Sequence, residues 1–207
     1  MAIVLGYHGC SARTAHDLLS GSQFNPSNKP YDWLGSGSYF WESDILRAYE
    51  WAKERRSSAP CIVGAVIELG NCLDLTTQAG VRAVKVAYES YVNLQKKTGN
   101  ALPKNKAGEN SKPGDRVLRY LDRAVIDHLH ANYKASQSGG MREFDTVRAL
   151  FPEGYSIYED AGFWDKTHVQ IAVRRQTQIL GVFRVPMHQL KNLDISDPYA
   201  CAEFVNE

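Results

Sequence analysis

A chain of 207 residues, 43% hydrophobic and 23% charged, has an ordinary globular composition and can bury a core without disulfides or metals. Its formal net charge of +1 forces no polyanionic partner on the molecule as a whole. No apolar run approaches the ~20 residues of a membrane helix, and no basic stretch followed by an apolar run marks a signal peptide, so a cytoplasmic chain without membrane partner is expected.

Residues 2–8 read as a short buried strand that ends in a glycine-flanked histidine, His8. Residues 11–19 read as a helix: Ser11 is the N-cap candidate, and Ala12, Ala15, Leu18 and Leu19 share one face before Gly21 stops it. A polar, proline-punctuated loop leads to residues 31–42, YDWLGSGSYFWE, where Gly35 and Gly37 bracket a tight turn in front of Tyr39. Such a turn can present an aromatic face to a flat ligand. Residues 42–56 are helical, with Ile45, Ala48, Tyr49 and Ala52 on one stripe. The run CIVGAVIEL is a central strand, and residues 71–75 leave it toward a helix.

The middle, 78–148, reads as a helical insertion in a single domain spanning 1–207. One helix, 81–94, carries Val81, Val84, Tyr88, Tyr91 and Val92 as its apolar stripe; a second, 117–133, buries Val117, Leu118, Leu121, Ala124, Val125 and Leu129. Between them, 96–115 reads as a mobile linker. Eleven Lys/Arg against five acids over 82–134 leave 11 − 5 = +6 in this stretch. That surplus is either a solvated face or a surface for phosphate backbones. His128 and His130 read as surface histidines. Residues 136–140 read as a hinge, and 142–151 as a short helix with Phe144, Val147 and Leu150 inward.

An aromatic and acidic loop, 152–166, precedes the clean alternation of residues 167–174. That strand puts His168, Gln170, Ala172 and Arg174 on one face. Residues 178–185 read as its hairpin partner, and the rest as a solvated tail in which Leu190, Leu193 and Ile195 cover an edge. Cys10, Cys61, Cys72 and Cys201 form no CxxC pair, so reduced thiols and no metal site are expected.

Three stretches, GYHGCS at 6–11, YDWLGSGSYFWE at 31–42 and THVQIAV at 167–173, in this order, resemble the ADP-ribosyltransferase superfamily. The likeness is to the histidine-tyrosine branch, which includes the poly- and mono-ADP-ribose polymerases. It is closer still to small bacterial proteins with YHG, DWLGxGxYFWE and HxQI motifs. It covers roughly 3–75 and 150–186.

The resemblance implies a split β-sandwich of two mostly antiparallel sheets, with an NAD cleft between them. It implies that His8 holds the adenosine ribose, that the Gly9 backbone bonds the nicotinamide amide, and that Tyr39 stacks the ring. Tyr49 is the nearest candidate for the second stacking wall, one residue short of the branch's spacing, and Cys10 stands where many relatives have Ser or Thr. The branch's catalytic Glu lies eight residues before a Gln-Val pair; counting back from Gln178 gives Gln170, so the set is His8, Tyr39 and Gln170. An uncharged Gln170 cannot act as a general base, which leaves Glu159, Asp160 and Asp165 of the preceding loop, or His168, to deprotonate the acceptor. Tyr158 is the loop's candidate for acceptor contact.

The activity implied is mono-ADP-ribosyl transfer from NAD⁺ to a nucleic acid or protein, without chain elongation. Some relatives are toxins of toxin–antitoxin or phage-defence modules, which makes an inhibitor protein a partner to look for. A binding module that holds NAD⁺ or an ADP-ribose group without chemistry and an NAD glycohydrolase are the open alternatives. An RNA 2′-phosphotransferase is disfavoured by the intact Gly-x-Gly-x-Tyr-Phe stretch.

Overall fold

A computed structural model describes residues 2–55, 59–108, 116–135 and 142–199. In chain order its elements are β1 (Ile3–Ser11), α1 (Ala12–Leu19), β2 (Ser38–Glu42), α2 (Ile45–Arg55), β3 (Pro60–Glu68), β4 (Cys72–Asp74), α3 (Gln78–Thr98), α4 (Tyr120–Ala135), β5 (Thr146–Phe151), β6 (His168–Val173), β7 (Ile179–Phe183) and α5 (Met187–Asn192). The architecture is α+β. Where two packed sheets were expected, the strands join one mixed seven-stranded sheet in the order β4-β5-β6-β2-β1-β3-β7. The β2–β6 ladder, four register pairs from Ser38↔Val173 to Trp41↔Gln170, ties the two halves together.

The sheet is weakest at its centre. β1 pairs with β3 along nine positions, but with β2 only at Gly6↔Glu42 and Tyr7↔Trp41. Beyond Tyr7 the two strands part. The apolar residues fall into two clusters. One lies around β1, β3, α1 and α2, with Phe40, Ile62, Val63 and Ile67 fully buried. The other sets Leu34, Ala87, Val125, Ile126 and Leu129 against Leu73, Val147, Ala149 and Ala172, so the α3–α4 pair covers the β5–β6 side.

Local chemistry explains the elements. Ser11 caps α1 by accepting from the Thr14 amide. Thr77 caps α3, and Gly99 ends it in the left-handed region at φ 70°. Asn105 reaches across to the start of α4, its Oδ1 accepting from the Leu121 amide at 2.8 Å and its Nδ2 donating to Asp122. Residues 99–108, expected to be mobile, are therefore pinned in part; 109–115 and 136–141 lie outside the described residues.

Four further expectations are corrected. Residues 146–151 are strand β5, not helix, because Val147 and Ala149 find cross-strand partners in Ala172 and Gln170; Leu150 points outward, 53% exposed. The partner of β6 is not 178–185. β7 crosses to the far edge beside β3, where the Phe183 ring fills the space that a side chain at Gly64 would occupy and Gln178 donates to the Glu68 carbonyl. His130 is buried. In α3 the buried positions are Gly80 and Ala87, which leaves Val81 and Tyr88 of the expected stripe exposed. At the C-terminal end Leu190 and Ile195 are buried as expected. Tyr199 joins them, donating to the Ile62 carbonyl at 2.7 Å; residues 200–207 lie outside the described residues.

Candidate functional site

Where β1 leaves β2, a side chain takes the place of the ladder. His8 Nδ1–H donates to the Tyr39 carbonyl at 2.8 Å. A carbonyl only accepts, so Nδ1 carries the proton and Nε2 keeps a lone pair. Burial holds His8 below the usual imidazole range, opposed by the Tyr39 bond, so the ring is neutral near pH 7. It packs edge-on against Phe24 at 5.3 Å and beside Phe40 at 5.7 Å.

Tyr39 points to the opposite face of β2 from Phe40 and packs with the second cluster. Its hydroxyl donates to the Gly35 carbonyl at 2.8 Å and accepts from the Leu34 amide at 3.1 Å. The aromatic ring thus closes the Gly-x-Gly turn from inside. Gly35 sits at φ +87°, a conformation most residues avoid, with Ile126 of α4 pressed against it. Burial raises the Tyr39 phenol far above its ordinary range, so it stays protonated.

Gln170 stands in β6 opposite Trp41, two positions along from the Tyr39↔Ala172 pair. Tyr39 and Gln170 therefore share one face of adjacent strands, while the His8 ring lies at the opening on the other side of β2. Gln170 Oε1 accepts from the Trp33 indole N–H at 2.8 Å, and its Nε2 lies 3.0 Å from His168 Nε2. His168 Nδ1–H donates to the Lys166 carbonyl at 2.7 Å, so His168 Nε2 must accept from the Gln170 amide. Burial lowers His168 as well. The result is a directed chain from Trp33 through Gln170 and His168 to Lys166.

Around it lies an aromatic wall. Phe151 stacks on His168 at 5.4 Å, Trp33 meets Phe151 at 4.9 Å, and the Arg119 guanidinium lies 4.7 Å from the Phe151 ring. Trp33 is a site residue that residue order alone does not reveal. Its contact with Gln170 spans 137 positions, and no local pattern signals it.

The remaining candidates are more scattered. Gly9 lies under α2: a side chain there would meet the Ala48 carbonyl at 2.1 Å. Cys10 is a buried thiol opposite Cys61 in the β1–β3 ladder; burial, then Cys61, push it far up, so it acts as an apolar filler rather than a polar contact. Tyr49 is half-buried against the first cluster, with the Lys53 ammonium 5.7 Å over its ring, whereas Tyr39 belongs to the second. Tyr158 is 60% exposed and Glu159 is exposed. Asp165, also exposed, accepts from the Tyr155 amide at 2.6 Å. The loop that carries them is tied at its base by a two-oxygen contact of Arg47 with Glu153 at 2.9 and 3.0 Å. Among the described residues no cluster of His, Cys, Asp or Glu has the arrangement to hold a metal, and no helix is long and apolar enough to cross a membrane.

No family model matches the chain, and no solved structure matches it. It is similar to an uncharacterised protein of Methanocaldococcus jannaschii, 26% identical over 161 residues, a match that covers 74% of this chain and 67% of that protein.

Proposed function

We propose that the chain is an NAD-dependent mono-ADP-ribosyltransferase with the His8–Tyr39–Gln170 set at its centre. The observation that carries this reading is the opening between β1 and β2, with His8 bonded to Tyr39 on one side and Gln170 on the next strand. An extended dinucleotide would straddle that opening. His8 Nε2 offers an acceptor for a ribose hydroxyl. The Gly9 backbone bonds the nicotinamide amide, the Tyr39 ring supports the nicotinamide, and the remaining N–H of the Gln170 amide donates to the neighbouring ribose.

In the reaction the C1′–N1 glycosidic bond breaks, and nicotinamide leaves with the bonding pair. The acceptor nucleophile bonds to C1′ and gives up its proton. Holding both partners in line supplies most of the acceleration. No carboxylate faces the developing positive charge at Gln170, so the site suits a single transfer. The lone pair of His168 Nε2 is already used by Gln170, which leaves the exposed Glu159 and Asp160 as the groups for the acceptor's proton.

The test is incubation with labelled NAD⁺ in separate pools of protein, RNA and single-stranded DNA, beside Tyr39→Ala. Label on one polymer class, lost in the variant, is the expected result. NAD⁺ bound without nicotinamide release overturns the enzyme reading in favour of a binding module. The uncharged Gln170, already bonded at both its oxygen and its nitrogen, is the feature that favours this second reading. Nicotinamide release without label on any polymer turns it instead into a glycohydrolase.

A further inference from the structure

α3 leaves Val81, Val86, Tyr88 and Leu94 exposed. Tyr88 is 40% exposed, and with Val84, Lys85, Trp33 and Arg119 it borders a cleft of about 360 Å³ between α3, α4 and the turn before β2. The Arg119 guanidinium lies 5.7 Å over the Trp33 indole. Its Nη1 pairs with Asp122 at 3.1 Å, and its buried Nε has no hydrogen-bond partner among the described residues. Flat aromatic and guanidinium surfaces around a slot are what an unstacked base takes.

The rim has the matching charge. Lys85 also lines the depression next to the cleft, together with Arg82 and Val81. Helical periodicity puts Arg82, Lys85 and Lys96 on one face of α3, with Glu89 between them. None of the three cations enters an ion pair among the described residues. Lys85 and Lys96 are separated by about 16 Å along the helix, more than a single nucleotide spans. The other exposed aromatic surface, loop 152–166, has the opposite sign: Glu153, Glu159, Asp160 and Asp165 against Lys166. It repels a polyanion.

We propose that the α3–α4 cleft seats one unstacked base of a single-stranded nucleic acid, with the phosphates running along Arg82, Lys85 and Lys96. The Trp33 indole that walls the cleft also donates to Gln170 at 2.8 Å, so the seated base lies one side chain from the proposed reaction centre. The strand is then the acceptor. That role rests on the transferase reading; the binding does not.

The experiment is fluorescence anisotropy of the full chain, without NAD⁺, against roughly 12-nucleotide single strands of RNA and of DNA and against AMP. At least one strand binds more tightly than AMP. Tyr88→Ala weakens the strand about fivefold to a hundredfold. Lys85→Gln lowers the slope of log affinity against log salt by about 0.7. Lys191→Gln on α5 changes neither. Far-UV dichroism shows both cleft variants folded. Binding that ignores Tyr88→Ala and keeps its salt slope in Lys85→Gln overturns the proposal, as does AMP binding as tightly as the tighter strand, or no binding at all. Nicotinamide release, measured separately, keeps the two readings apart: release without strand binding removes the cleft, and strand binding without release removes the transferase.

Discussion

The Gln170 amide has a fixed orientation because each neighbour has a fixed role. An indole can only donate, and His168 must accept once its other nitrogen has given its proton to the Lys166 carbonyl. Trp33→Phe keeps the ring but removes the donor. It should cost about 1 kcal/mol of stability and slow nicotinamide release, read by thermal melts and by product assay. Gln170→Ala should abolish most of that release on the transferase reading and lower the melting temperature at least as far as Trp33→Phe, because it leaves the indole N–H and His168 Nε2 both unpaired. Gln170→Glu puts a carboxylate oxygen against the His168 lone pair, so His168 should take up a proton at higher pH than in the parent chain. An unchanged His168 titration by NMR would show that the amide does not face that nitrogen.

At the level of elements, the decisive contacts are backbone against backbone. Gly9 lets α2 lie directly on β1: a Cβ there would stand 2.1 Å from the Ala48 carbonyl oxygen, and a helix backbone yields less easily than a side-chain tip. Gly9→Ala should therefore destabilise the fold by about 1–3 kcal/mol, lowering the melting temperature by roughly 2–4 °C for each kcal/mol. A melting temperature equal to the parent's would mean that α2 can shift freely. The same helix reaches forward through Arg47 to Glu153, so its seating on β1 also sets the base of the aromatic loop.

For the whole molecule, buried histidines set the acid response. His130 faces from α4 onto the Gly35 turn, with neither ring nitrogen partnered among the described residues. Burial, helped by Arg174 and Arg123, brings it down from 6.5 to about 3. The unfolded chain binds this proton more readily, so the stability is fully present above about pH 6.5 and is lost as pH falls from there toward 3. His8 and His168, also lowered, act in the same direction. Asp74 and Asp145, which are lowered carboxylates, add their own loss only below about pH 4. Melting curves between pH 7 and 4 should show His130→Leu losing less stability than the parent. Equal slopes would mean that His130 is solvated.

Much of the frame was legible from residue order. β1, α1 with its Ser11 cap, α2, β3 and β6 follow from periods of two and 3.6 and from capping chemistry, which act over a few residues. The alternation that put His168 and Gln170 on one face was enough to place both in the chain of hydrogen bonds. What residue order left open depended on partners far away in the chain. Short apolar segments such as 146–151 become strand or helix according to the neighbour they find, and β5 found β6. β7 went to β3 because Phe183 had Gly64 to pack on. His130 is buried because it packs on Phe144 and the Gly35 turn, and Tyr88 is exposed because α3 buries Gly80 and Ala87 instead; no single helix encodes those partners. The same holds for the candidate site: the sequence determined which side chains are present, and only the tertiary structure decided that Trp33 meets Gln170, since a contact across 137 positions depends on the packing of the entire sheet.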